Sequence, residues 1–284
     1  MMFRLALFTL VSLAGSLAAA QPPPANPQGT APYQIPASNP PIDPQKLASA
    51  INASFYHPDK LNGITCAVRG DWPAMYKSLN ITPPVPRMLA IKGLKMRYTA
   101  ARKKLPELTF DWTSGPPDMK DEFETGVKQM IGGFYQSYWT VMATPPMNSG
   151  SEIARIEPQK DGTTKVYESG KDSKVAIILD KNDTPTHYEF DTPAAKGEFD
   201  LQYIASPNPV PGDLRRISNL RINSKIGESS FNVAVSMTYQ VVDEFFVPRR
   251  IRYEMIGAYS IALEFSGCSV LNPGSTGSQV SPPQ

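Results

Sequence analysis

Between Phe231 and Val241 the chain alternates without a break. Phe231, Val233, Val235, Met237, Tyr239 and Val241 stand on one side of an extended backbone, and Asn232, Ala234, Ser236, Thr238 and Gln240 on the other. Successive side chains of a strand point to opposite faces, so this run has one apolar and one wet face and belongs in an antiparallel sheet. Tyr259, Ile261, Leu263 and Phe265 repeat the pattern, opposed by Ser260, Ala262, Glu264 and Ser266. Shorter versions occur at Ile64–Val68, Leu94–Ala100, Leu108–Trp112, Thr186–Phe190 and Phe199–Tyr203. Turn residues separate these runs at Asp161-Gly162, Lys181-Asn182-Asp183, Lys196-Gly197, Ile226-Gly227 and Ile256-Gly257. The pattern predicts about ten strands, joined mostly as consecutive hairpins. A twisted sheet of that size curls, and its concave apolar face has to be filled.

Three helices are expected. Asp43 is a good N-cap with Pro44 at the first helical position, and Leu47, Ile51 and Phe55 follow at intervals of four. From Asp118 to Met142, Phe123, Val127, Met130, Ile131, Phe134, Tyr138 and Val141 recur at helical spacing, with Asp118, Asp121, Glu122 and Glu124 in the first turns. This long amphipathic helix is the available filler for the sheet. Its Gly132-Gly133 pair reads as close approach to the sheet or as a hinge, at a cost of about 1 kcal/mol per glycine relative to alanine. Trp72–Leu79 is a weaker third helix. The expected fold class is therefore α+β and mainly β, a curved antiparallel sheet over one long helix and short helices. An apolar cavity between helix and sheet would be lined by Phe123, Val127, Ile131, Phe134 and Tyr138 from the helix, and by Val235, Met237, Tyr239, Ile261 and Leu263 from the strands.

At the N-terminus, Arg4, an apolar run from Leu5 to Leu13 and Ala18-Ala19-Ala20 form a secretory signal with cleavage expected after Ala20. This predicts a periplasmic or secreted protein. Gln21 follows the cleavage site, where a lipid-anchored protein of the bacterial type would need cysteine. No later stretch reaches the roughly 20 apolar residues of a membrane span. Residues 21–43 form a proline-rich leader and residues 272–284 a Gly/Ser/Pro-rich tail, both expected to be disordered. A single β-rich domain over residues 44–271 remains. Loss of Arg4 leaves 27 basic against 26 acidic side chains, a balance that gives no bulk attraction to nucleic acid.

Cys66 and Cys268, the only cysteines, lie near opposite ends of that domain. They read as a disulfide or as two buried thiols, and the absence of a Cys-x-x-Cys argues against a redox pair. The chain carries no Gly-x-Ser-x-Gly elbow and no phosphate loop, and its two histidines, His57 and His187, have no partner at metal-ligand spacing. Asp180-Lys181-Asn182-Asp183 with Glu189 and Asp191 resembles a calcium loop only faintly, because Pro185 stands where that loop needs glycine. The expectation is a non-enzymatic protein without cofactor or metal. Asn52, Asn80 and Asn182 head Asn-x-Ser/Thr triplets, which matter only in a host that glycosylates. From Trp72 through Pro106 there are eight basic residues and no acid. Lys95, Arg97 and Lys103 form a basic stripe opposite Leu94, Met96 and Tyr98, which suits lipid headgroups or another anionic surface, or else is a solvated edge.

In the C-terminal half, Lys174–Lys181, Phe199–Ala205, Val233–Val242 leading into Asp243-Glu244-Phe245-Phe246-Val247-Pro248-Arg249-Arg250-Ile251, and Tyr259–Phe265 succeed one another in a way that resembles the periplasmic carriers that sort outer-membrane lipoproteins. The resemblance covers about 100 residues as a pattern of strand, turn and proline. It implies an unclosed antiparallel half-barrel wrapped over helices, with an apolar cavity for acyl chains. The leader, the cysteines and the insertion around Pro83–Thr113 depart from that family's pattern, and no individual ligand-contacting residue carries over. Two functions follow as expectations. One is a carrier of lipid or acylated protein in the periplasm; the other is a structural or interaction module of the cell envelope with a fully packed core.

Overall fold

The computed structural model describes residues 42–56, 61–83, 94–101, 107–112, 152–169, 173–193, 195–204 and 214–271, with positions 85, 91, 121, 124, 125 and 147 besides. The elements are α1 (Pro44–Ala53), β1 (Gly63–Gly70), α2 (Trp72–Ser78), β2 (Leu94–Ala101), β3 (Glu107–Trp112), β4 (Glu152–Pro158), β5 (Thr164–Ser169), β6 (Lys174–Leu179), β7 (Pro185–Asp191), β8 (Lys196–Ile204), β9 (Arg216–Ile226), β10 (Ser229–Val242), β11 (Phe245–Met255) and β12 (Tyr259–Val270). The described chain is thus mainly antiparallel sheet, with twelve strands where the alternation predicts about ten. Of the long helix, Asp121, Glu124 and Thr125 are helical; its apolar residues Phe123, Val127, Ile131, Phe134 and Tyr138 lie outside the described residues, as do the signal and the tail.

The described residues fall into two compact units, one within His57–Ala143 and Val233–Gln284, the other within Gly15–Tyr56 and Thr144–Asn232. In the first the strand order is β3-β2-β1-β12-β11-β10, and in the second β9-β8-β7-β6-β5-β4. The first unit therefore brings the earliest described strand against the last described one, Val68 facing Phe265 and Arg69 facing Glu264. Beyond Gly70 that pairing stops and α2 takes over the edge of β12. The Asp71 N–H donates to the Ala262 carbonyl, and the Ser260 N–H donates to Ser78 Oγ at 2.9 Å. Backbone groups that would form a free edge are thereby satisfied. Gly70 is required here, since a Cβ would stand 2.6 Å from the buried Trp72 ring.

The second unit is a chain of hairpins from β4 to β9 with α1 beside it. Asp43 Oδ1 accepts from the N–H groups of Gln45 and Lys46, the N-cap expected from the sequence. Phe55 lies edge-on to Tyr203 at 4.8 Å. The Asn52 amide donates to the Met147 carbonyl and accepts from the Met147 N–H, each at 2.9 Å, so both its polar atoms are committed within the protein.

One turn falls elsewhere than expected. Lys196 and Gly197 open strand β8, and the reversal lies at Thr192–Ala195, where Thr192 Oγ1 donates to the Ala195 carbonyl. The glycine serves close approach, since a Cβ on Gly197 would stand 2.3 Å from the Asn223 carbonyl oxygen. The turn at Asp180–Thr184 is a plain hairpin turn. Asp180 Oδ1 accepts from the Asn182 and Thr184 N–H groups at 2.8 and 2.9 Å. Partial burial pushes the Asp180 carboxyl up, but these bonds outweigh it and hold it below the ordinary carboxylate range.

Candidate functional site

In the first unit the register stacks apolar residues of three strands into rows. Val235, Tyr253 and Ile261 form one row, and Met237, Ile251 and Leu263 the next. Four of the strand residues expected to line a cavity, Val235, Met237, Ile261 and Leu263, are therefore neighbours on one face. Alternation alone does not name Ile251 or Tyr253, which stand between them. The face continues through Phe265 and Val68 to Met96 on β2. It is closely covered, with Ile251 1 % and Ile261 and Leu263 each 3 % exposed. Burial pushes the Tyr253 hydroxyl up to about 12 and that of Tyr259 higher still, so both stay neutral.

Tyr239, the fifth strand residue of the expected cavity, sits past a bulge. Thr238 faces Arg250 but Tyr239 faces Pro248, so Arg249 is the extra residue. Proline in an interior strand leaves a neighbouring carbonyl without its donor. Gln240 supplies the replacement. Its Nε2 donates to the Pro248 and Phe265 carbonyls, both at 3.0 Å, beyond the last paired residues Arg250 and Glu264 of β11 and β12. The same nitrogen lies 3.4 Å from Cys268 Sγ.

Cys66 and Cys268 are bridged, with Cα atoms 4.1 Å apart. The bridge occupies a second bulge, between the pairs Thr65–Ser269 and Ala67–Ser266, which Gly267 makes with φ +52. Without that extra residue Cys268 would stand on the face opposite Phe265, away from Cys66.

The opposite face of the same sheet is charged. Of the three residues of the basic stripe, Lys95 and Arg97 are exposed there, while Lys103 lies outside the described residues. Register adds what the linear stripe lacks: Arg69, and next to it across Glu264, Arg250 and then Arg252. Arg69 bonds Glu264 at 2.7 Å, and Arg252 lies 3.7 Å from Glu254.

The second unit gathers a polar cluster on the outer face of β5, β7 and β8. His187 Nδ1 lies 2.7 Å from Asp200 Oδ1, and Lys165 Nζ lies 2.9 Å from Glu189 Oε1. The Lys165 ammonium is raised above its ordinary range, first by its hydrogen bond to Glu189. His187 thus stands on the polar side of its strand, and no group of three or more His, Cys, Asp or Glu among the described residues is placed to hold a metal ion. No described helix is long and apolar enough to cross a membrane. No protein-family model, curated protein or solved structure matches the chain.

Proposed function

We propose that the chain is an exported, non-enzymatic binder or carrier of an apolar ligand, a lipid or a lipoprotein acyl chain, acting in the periplasm on the apolar face of the first unit. The observation that carries this reading is the stacked apolar face itself. Rows from β10, β11 and β12 place Val235, Tyr253, Ile261, Met237, Ile251 and Leu263 side by side with only neutral groups among them. Such a surface recognises hydrocarbon by burial, at about 25 cal/mol per Å², and offers nothing to a charged substrate. The resemblance to lipoprotein-sorting carriers supports the same ligand class.

The experiment is binding of an environment-sensitive acyl probe, with native mass spectrometry of the purified protein for co-purified lipid. Saturable signal at about micromolar level, displaced by unlabelled fatty acid, is expected. Signal that neither saturates nor is displaced refutes the reading. The near-complete burial of Ile251, Ile261 and Leu263 favours a second reading, an envelope module whose sheet is fully packed. That module would bind no acyl probe.

A further inference from the structure

We infer that the outer face of the first unit's sheet docks on an anionic lipid bilayer. The register of β2, β1, β12 and β11 gathers Lys95, Arg97, Arg69, Arg250 and Arg252 from three of these strands onto one face, and Arg249 is exposed in the adjoining bulge. Among the described residues, the acids sharing that face are Glu107 and Asp111 on the edge strand β3, Glu264 and Glu254. Glu264 and Glu254 are engaged with Arg69 and Arg252. The side chains of Lys95, Arg97, Arg249 and Arg250 make no ion pair or hydrogen bond among the described residues.

Charge complementarity names the occupant. An unpaired cation near an anionic leaflet gains from its surface potential, and cations spread over several strands of a sheet face meet a planar array of headgroups. The attraction adds over residues and is screened by salt, the screening length falling from about 10 Å at 0.1 M to about 3 Å at 1 M. This inference does not rest on the apolar-ligand reading. Acyl probe and bilayer address opposite faces of the sheet, so either result stands if the other fails.

The test is flotation of the purified full chain with vesicles of phosphatidylcholine alone or with about 30 % phosphatidylglycerol. Two double variants separate the face from net charge. Arg97→Glu with Arg250→Glu alters the face, and Lys160→Glu with Lys181→Glu makes the same change in exposed residues of the second unit. All four side chains are exposed, and circular dichroism checks that the variants fold. Binding to the anionic vesicles only, lost at high salt, is expected. The Arg97/Arg250 variant should bind at least about tenfold more weakly, with the Lys160/Lys181 variant close to wild type. Equal binding to both vesicle types, equal weakening by both variants, or no binding at about 0.1 M salt overturns the inference.

Discussion

Removing the Cys66–Cys268 bridge by Cys66→Ala with Cys268→Ala tests whether a covalent tie holds the first strand against the last. The bridge spans a sequence separation of 202. Closing a loop of that length removes denatured-state entropy worth about 5 kcal/mol at 25 °C in the chain-entropy model. If Thr144–Asn232 stay folded while the first unit opens, the mobile part of the loop shrinks to about 110 residues, and the figure falls by only about half a kcal/mol because the dependence is logarithmic. Alanine is chosen over serine because Cys66 is fully buried and a hydroxyl there would need a partner. The assay is urea unfolding followed by tryptophan fluorescence, in which the buried Trp72 reports on the first unit. With m about 2 kcal/mol/M, the midpoint should fall by up to about 2.5 M. A fall below about 0.5 M at unchanged m would mean that the β1–β12 pairing sustains itself and that loop closure contributes little. Two titratable thiols in the unreduced, denatured wild type would refute the bridge directly.

Ile251→Ala, at the centre of the apolar rows, should cost about 2–5 kcal/mol by the same assay; a loss under about 1 kcal/mol would mean that the face is not tightly packed. Asp243 and Glu244, both at positive φ (46 and 68), form the two-residue turn between β10 and β11. Glu244→Gly relieves a left-handed conformation costing about 1–2 kcal/mol, less glycine's greater chain entropy, so thermal unfolding should show a net gain of about 0.5–1 kcal/mol. Asp180→Asn should destabilise the protein by about 1 kcal/mol at pH 7. Because the folded carboxyl is depressed, its contribution is complete above the unfolded value of about 3.9 and is lost as pH falls through the lower folded value. The gap between wild type and variant should therefore close on acidification below about pH 4 in a pH series of midpoints.

Where strands keep strict period two the elements were legible, as β10 and β12 illustrate. Bulges hide the others. In β9 the extra residue Ser218 puts Ile217 and Leu220 three apart, and in β4 a bulge separates Ile153 from Ile156 in the same way. The run Val175–Leu179 in β6 is apolar at every position, so periodicity says nothing about its faces. Gly197 misleads for a different reason. Glycine answers both to positive φ and to close approach, and only the Asn223 backbone beside it distinguishes the two.

The sequence by itself determined the alternation that makes one face of β10 and β12 apolar, the Asp43 cap of α1, the turns at Gly162, Gly227 and Gly257, and the pair of cysteines available for bridging. These are local properties, set by side-chain chemistry within a few residues. Tertiary structure decided which strands became neighbours. It brought β1 against β12 across most of the chain, placed Ile251 and Tyr253 between the predicted apolar residues, and set Gln240 where Pro248 leaves a donor missing. It also set Arg69, Arg250 and Arg252 on the same face as Lys95 and Arg97. Strand register is a long-range choice, and a single bulge residue such as Gly267 or Arg249 reassigns every side chain beyond it to the other face.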